Sequence, residues 1–212
     1  LDHFGSTLVA TIKNGKTFKW EAISSNPPAL TTRATAITGA PTTSVMSIVS
    51  ERDRHLIILG TETTIGTEST QDKMFIRFSD QENLSDYTPT STNTAGTFRL
   101  DSGVKIVGAA KAKDYILILT DTSAYIMQFV GPPFTFSIRQ VGSNCGLIGQ
   151  HAVKYVNGKV FWMGQAGGFF VYDGTVKSLP CLVEDFVFTS KGNNLGINYT
   201  AGEQVYAGLN HL

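Results

Sequence analysis

Cysteine is nearly missing from this chain. It has only Cys145 and Cys181 in 212 residues. Two thiols are too few for a disulfide framework or a four-ligand zinc site, and they read as two small buried hydrophobes. Charge is also scarce. Charged residues make up 16% of the sequence, against roughly 25% in an average soluble protein. Neither sign prevails, since 17 basic residues meet 17 acidic ones. The balance is local too, with ten basic and eleven acidic groups over residues 1–110 and seven and six over 111–212. A protein that grips phosphates needs a basic face, because neutralised phosphates supply most of the affinity. Tight nucleic-acid binding by a free-standing monomer is therefore not expected.

Long apolar runs are missing as well. The longest covers about five residues, 115–119, so no membrane-spanning segment is expected. Helical periodicity, with apolar residues at i, i+3, i+4 and i+7, is nearly absent. Hydrophobic residues still make up 42% of the chain, enough to bury a core and to exclude wholesale disorder. The chain begins at Leu1 with no basic-then-apolar leader and ends inside a strand-like stretch, 206–212. We therefore expect a piece of a longer protein.

What the chain does contain is a repeated unit. A short β-branched or aromatic run is followed by a polar turn and a second such run. The paired runs are 8–12 with 17–20, 56–59 with 74–78, 115–119 with 125–130, and 160–163 with 169–172, while 205–209 opens another copy. Asn14-Gly15 and Asn157-Gly158 suit a two-residue type I′ hairpin, which needs positive φ at both central positions. Asp173-Gly174 carries similar turn chemistry. Unit starts near residues 8, 56, 116, 160 and 205 are 48, 60, 44 and 45 residues apart, and the long step contains the loop 61–73. Strand–turn–strand repeats of roughly 40–50 residues are the signature of β-propeller blades. One small sheet cannot bury both faces alone, so blades pack face to face. The sequence thus predicts an all-β, β-propeller-like fold of repeated antiparallel blades, in a single domain over 1–212. A β-sandwich array is the alternative. Alternation places Val160 and Trp162 on one face and Phe161 and Met163 on the other. With blades on both sides, Phe161 and Trp162 are both expected to be largely buried.

Reactive motifs fail on inspection. Gly15-Lys16-Thr17 lacks the glycine a phosphate loop needs five residues earlier, where Ala10 stands. Gly142-Ser143-Asn144-Cys145-Gly146 has its serine one position early for a nucleophile elbow. Cys145 with His55 or His151 as base is outweighed by a turn with a half-buried thiol. His3, His55, His151 and His211 contain no pair at metal-ligand spacing. The acidic stretch Asp80-Gln81-Glu82-Asn83-Leu84-Ser85-Asp86 lacks the glycine of a calcium loop, so its carboxylates are expected to cap turns. Two sequons, at Asn83 and Asn198, matter only within a secretory pathway. No catalytic constellation, metal set or cofactor site emerges, and the protein is expected not to be an enzyme.

One region is more specific. Phe75 to Pro89, with Asp80, Gln81 and Glu82 at its centre, is followed by Asn93-Thr94-Ala95-Gly96-Thr97-Phe98-Arg99-Leu100. This run resembles tail proteins of short-tailed bacteriophages, the tail nozzle, tail-hub or packaged-DNA stabilisation proteins. Further matches follow in order: Leu119 to Ser123 around Asp121, Phe129 to Phe134, and Gly142 to Gly149 around Asn144, Cys145 and Gly146. The last are Tyr172-Asp173-Gly174 and Val183 to Phe188 around Glu184 and Asp185. Asp2-His3-Phe4-Gly5 and Asp53-Arg54-His55-Leu56 also fit. Phe78 and Tyr87 stand where such proteins would carry tryptophan.

The resemblance implies a structural component of the virion. It would be a homo-oligomer, a six-fold ring below the portal and adaptor, whose lumen passes DNA without binding it tightly. Neutral charge suits that role, since each neutralised phosphate would hold the genome back. The rigid loop 129–136, with Gly131-Pro132-Pro133, would dock on neighbouring copies. A second reading is a carbohydrate- or receptor-binding propeller of a tail fibre or lectin, using Trp20, Tyr87 or Trp162 as sugar platforms, against which Trp162 sits in the apolar run Phe161-Trp162-Met163 and reads as core. A third is a polysaccharide hydrolase, whose clustered carboxylates would be Asp80, Asp86, Glu184 and Asp185.

Overall fold

The structure is a computed structural model that describes residues 1–21, 33–182, 184, 187 and 188. Among these residues the chain forms four four-stranded antiparallel sheets. The first holds β1 (Asp2–Phe4), β2 (Thr7–Thr11), β3 (Thr17–Glu21) and β4 (Thr35–Ala36). The second holds β5 (Met46–Ser50), β6 (His55–Leu59), β7 (Phe75–Phe78) and β8 (Gly96–Arg99). The third is β9 (Ile106–Lys111), β10 (Ile116–Thr120), β11 (Ser123–Gly131) and β12 (Thr135–Ser143). The fourth is β13 (Val153–Val156), β14 (Lys159–Met163), β15 (Phe169–Tyr172) and β16 (Val176–Leu179). In every sheet, sequence neighbours are spatial neighbours, so each is a meander with no crossover. The fold is all-β and propeller-like, made of repeated antiparallel blades.

The paired runs legible in the sequence are the two inner strands of each sheet. The notable difference is that each blade also has an outer strand on either side. The copy expected at 205–209 lies outside the described residues, as do Asn198 and His211. A single 3₁₀ turn, Glu68–Thr70, interrupts the long loop of the second sheet.

The chain divides into two compact units, Leu1–Asp101 with Val130–Thr135, and Ser102–Phe129 with the residues from Phe136 onward. In the first, β1 and β2 touch β5, and Phe4, Val9, Ile37, Val49, Leu56, Ile58 and Tyr87 form the buried core. In the second, β9 touches β13, and Leu117, Leu119, Ile126, Cys145, Leu147, Val160, Trp162 and Tyr172 form the core. Every position of β6 and β10 is buried. Full burial of each large aliphatic side chain contributes roughly 1.5–3 kcal/mol, which explains the four consecutive Ile/Leu residues in each strand, 56–59 and 116–119.

The fourth sheet departs from expectation. Its register pairs Val160 with Tyr172 and Trp162 with Phe170 on one face, and Phe161 with Val171 and Met163 with Phe169 on the other. The assignment of faces is as expected, and Val160 and Trp162 are buried. Phe161 is only half-buried, however. Its face carries the partly exposed Val156 and Leu179. Phe188 is packed on Phe169 there, at 5.5 Å between ring centroids. Blade-to-blade burial thus covers one face of β14 fully and the other in part.

The turns divide likewise. Asn157 (φ +49°) and Gly158 (φ +83°) both lie in the left-handed region between paired Val156 and Lys159, a two-residue type I′ hairpin as expected. Asn14-Gly15 is different. Only Asn14 has positive φ, and the loop spans five residues between paired Thr11 and Thr17. The Asn14 N–H donates to the Ser44 carbonyl at 2.7 Å, so a tertiary contact shapes this turn.

Candidate functional site

The motif residues of the first unit build one hydrogen-bonded loop between β7 and β8. Asp80 Oδ1 accepts from the Thr94 N–H at 2.8 Å and the Thr94 hydroxyl at 2.7 Å. The Gln81 N–H donates to the same hydroxyl oxygen at 2.9 Å, and its side-chain amide reaches the Asp53 carbonyl. Asn93 donates to Asp86 Oδ2 at 2.9 Å and to the Thr88 carbonyl at 2.8 Å, and accepts from the Thr90 N–H. Glu82 accepts from Arg54 Nε at 2.8 Å, and Arg54 also lies over the Phe4 ring. Arg99 reaches Asp72 at 2.6 Å. Gly96 is required by packing, because a Cβ there would lie 2.2 Å from the Phe78 ring.

Of the three carboxylates expected to cap turns, Asp86 does so, accepting from the Thr88 N–H at 3.1 Å, whereas Asp80 ties the two ends of the loop together and Glu82 pairs with Arg54. Partial burial pushes the Asp80 carboxyl up, but the bonds from Thr94 and Gln81 outweigh it and hold Asp80 below its ordinary value. Asp72 is held low in the same way by Met74 and Arg99. Beneath the loop, buried Arg77 donates to the carbonyls of Tyr87, Thr63 and Glu62. Glu62 in turn accepts from the Thr42 N–H, the Thr42 hydroxyl and the Gly66 N–H.

In the second unit the structure gathers three further motif residues, Asp121, Asn144 and Gly146, around an open groove of about 520 Å³. The β10–β11 turn supplies Asp121 and Thr122, the segment after β12 supplies Asn144 and Gly146, and the β14–β15 turn supplies Gly164 to Gly167. Phe170 of β15 completes the lining. Backbone bonds tie these walls together: Cys145 N–H to Thr122 at 3.0 Å, Gln165 N–H to Gly146 at 2.9 Å, and Gly164 N–H to Gly168 at 2.8 Å. Asp121 Oδ1 accepts from the Val104 N–H at 2.9 Å. Close packing explains Gly146, whose Cβ would sit 1.9 Å from the Asp121 carbonyl oxygen.

Cys145 sits behind the groove, not in it. It is buried, and desolvation pushes its thiol up to about 11. A thiol in that state is a poor nucleophile at neutral pH. Asp173 pairs with Lys177 at 2.9 Å, and Gly174 (φ +113°) forms the tip of the β15–β16 turn. The Glu184 carboxylate lies near Gly168, while Asp185 is outside the described residues.

Of the aromatic platforms, Tyr87 is corrected, while Trp162 is core as its apolar strand predicts. Tyr87 is 1% exposed and Trp162 2% exposed, so neither meets a sugar. Both fill the blade cores, and only Trp20 is partly exposed. Sequence reasoning missed Gln165 and Phe170 as groove residues. For Gln165 the signal was its place in the glycine-rich β14–β15 turn, where Gly167 and Gly168 have positive φ; nothing local marked Phe170.

No protein-family model matches the chain, and no curated protein does. Solved structures do match. The AfRom2 CNH domain superposes with a TM-score of 0.49 at 11% identity, over 90% of this chain and 56% of that one. BBS1N, crystallised in complex with ARL6DN, gives 0.48 at 13% identity over 82% and 46%. Human WBSCR16 gives 0.44 at 12% identity over 82% and 50%. The chain spans about half the length of these structures. Among the described residues, no helix is long and apolar enough to cross a membrane.

Proposed function

We propose that the protein is a structural component of a short-tailed phage tail, a blade-built module of the nozzle or hub that assembles with copies of itself. The observation that carries this reading is the colinear run of tail-protein motifs from Asp80 to Arg99. Its side chains are engaged in holding one loop of the second blade, as expected of a part selected for shape. Asp80, Gln81, Asn93 and Arg99 each make hydrogen bonds within the loop and its flanks. The neutral overall charge supports a conduit that lets DNA pass without gripping phosphate. The reading places the protein in the virion, next to portal or adaptor proteins, with no catalytic task and no cofactor.

The tip between β11 and β12 offers a contact for a neighbouring copy. Phe134 is 77% exposed and Val130 54% exposed, an apolar pair that a partner surface would cover. Electron microscopy and mass photometry of the chain test the assignment, with six-fold rings expected. Phe134→Ser is expected to shift the population toward monomers without changing the melting temperature. A chain that stays monomeric at every concentration and in the presence of tail partners would overturn the reading.

A further inference from the structure

We infer that the groove between the β10–β11 and β14–β15 turns is a binding site for a neutral saccharide of one or two rings. This goes beyond the tail assignment and does not depend on it. The volume of about 520 Å³ lies within the roughly 300–1,000 Å³ of small-molecule sites. The kind of ligand follows from the lining. Among the described residues no lysine or arginine contributes, Asp121 is the one charged side chain lining the groove, and the Glu184 carboxylate lies beside Gly168 near its edge. A phosphate, nucleotide or sulfated ligand would meet no counter-charge and two carboxylates nearby. A simple cation would use the oxygens of Asp121, Asn144 and Gln165 but leave the amide N–H donors and the Phe170 ring without a partner.

A vicinal diol uses the whole set. Each sugar hydroxyl both donates and accepts, matching the acceptor-only carboxylate of Asp121 and the dual-character amides of Asn144 and Gln165. Both amide residues are exposed at the rim. Phe170, half-buried and stacked on Trp162 at 5.6 Å, gives the C–H face of a pyranose an apolar partner. The walls are preorganised by the bonds from Cys145, Gln165 and Gly164, which lowers the entropy cost of binding.

The test is saturation-transfer NMR and calorimetry on the full chain. The probes are methyl glucoside, methyl galactoside, N-acetylglucosamine, maltose and lactose, with inorganic phosphate and glucose 1-phosphate as anionic controls. At least one neutral sugar is expected to bind, with the anions weaker. Gln165→Ala combined with Asn144→Gly should weaken binding about ten-fold, the loss of two hydrogen-bonding side chains. Ala166→Trp, at an exposed position, should fill the groove and abolish binding with the melting temperature unchanged. No binding of any neutral probe would overturn the inference, as would tighter binding of the anions or affinity untouched by Ala166→Trp. Ring assembly would be unaffected by any of these results, so failure here and failure of the tail reading are distinguishable.

Discussion

The indole N–H of Trp162 donates to the backbone carbonyl of Cys145 at 2.7 Å, so a side chain of β14 fastens the segment that follows β12. That segment carries Asn144 and Gly146 into the groove. Trp162 thus links core packing to site geometry. Trp162→Ala should cost about 3–5 kcal/mol in denaturant unfolding, as for other buried aromatic truncations. Trp162→Phe should cost less but still leave a buried carbonyl without its donor, at about 1–3 kcal/mol. Equal stability of Trp162→Phe and the parent would show that the hydrogen bond contributes nothing.

Two glycines separate backbone strain from steric clash. Gly158 has φ +83° and open space around its missing Cβ, whereas the Cβ of Gly146 would strike the Asp121 carbonyl. Gly158→Val should cost about 1–2 kcal/mol, the cost of a left-handed residue with a side chain. Gly146→Ala should cost more than Gly158→Ala, toward the upper end of the roughly 1–3 kcal/mol seen for overpacking, because main chain has to move. Thermal melts of the two alanine variants give the ranking, and the reverse order would contradict it.

Acid should loosen the β7–β8 loop. Asp80, in this loop, and Asp72, which holds Arg99 of β8 from the β6–β7 loop, sit below the ordinary carboxyl value of 3.8 in the folded protein. A depressed folded pKa favours the native state above the unfolded value, and that contribution disappears as pH falls through the folded value. The loop contribution is therefore complete at neutral pH and lost below about pH 4. Carboxyl NMR titration should find Asp80 low in the parent and closer to ordinary in Thr94→Val, which removes the hydroxyl bond. An Asp80 titrating at or above the ordinary value would contradict the assignment.

The two thiols should differ in reactivity. Cys145 is buried with its thiol raised to about 11, while Cys181 is partly exposed. Iodoacetamide at pH 7.5 should modify Cys181 first and leave Cys145 intact until the protein is unfolded. Mass spectrometry of the alkylated peptides reads this directly, and early labelling of Cys145 would show that its segment opens in the native state.

The inner strands of each blade were legible in the sequence because their information is local. Residues 56–59 and 116–119 are unbroken runs of Ile and Leu, and Asn157-Gly158 can hardly do anything but turn. The outer strands were not legible. Thr35–Ala36 and Val176–Leu179 are short and largely exposed, and they pair because a neighbouring strand edge is already in place. Half-burial of Phe161 was also out of reach, since alternation assigns a residue to a face but does not say what covers that face. The groove shows the same limit. Asp121 and Asn144 could be singled out in the sequence, but Gln165 and Phe170 join them only when two blades pack. Turn chemistry and strand composition act between residues adjacent in the chain. A site built from three separate turns depends on the packing of whole sheets, a long-range property that only the tertiary structure decides.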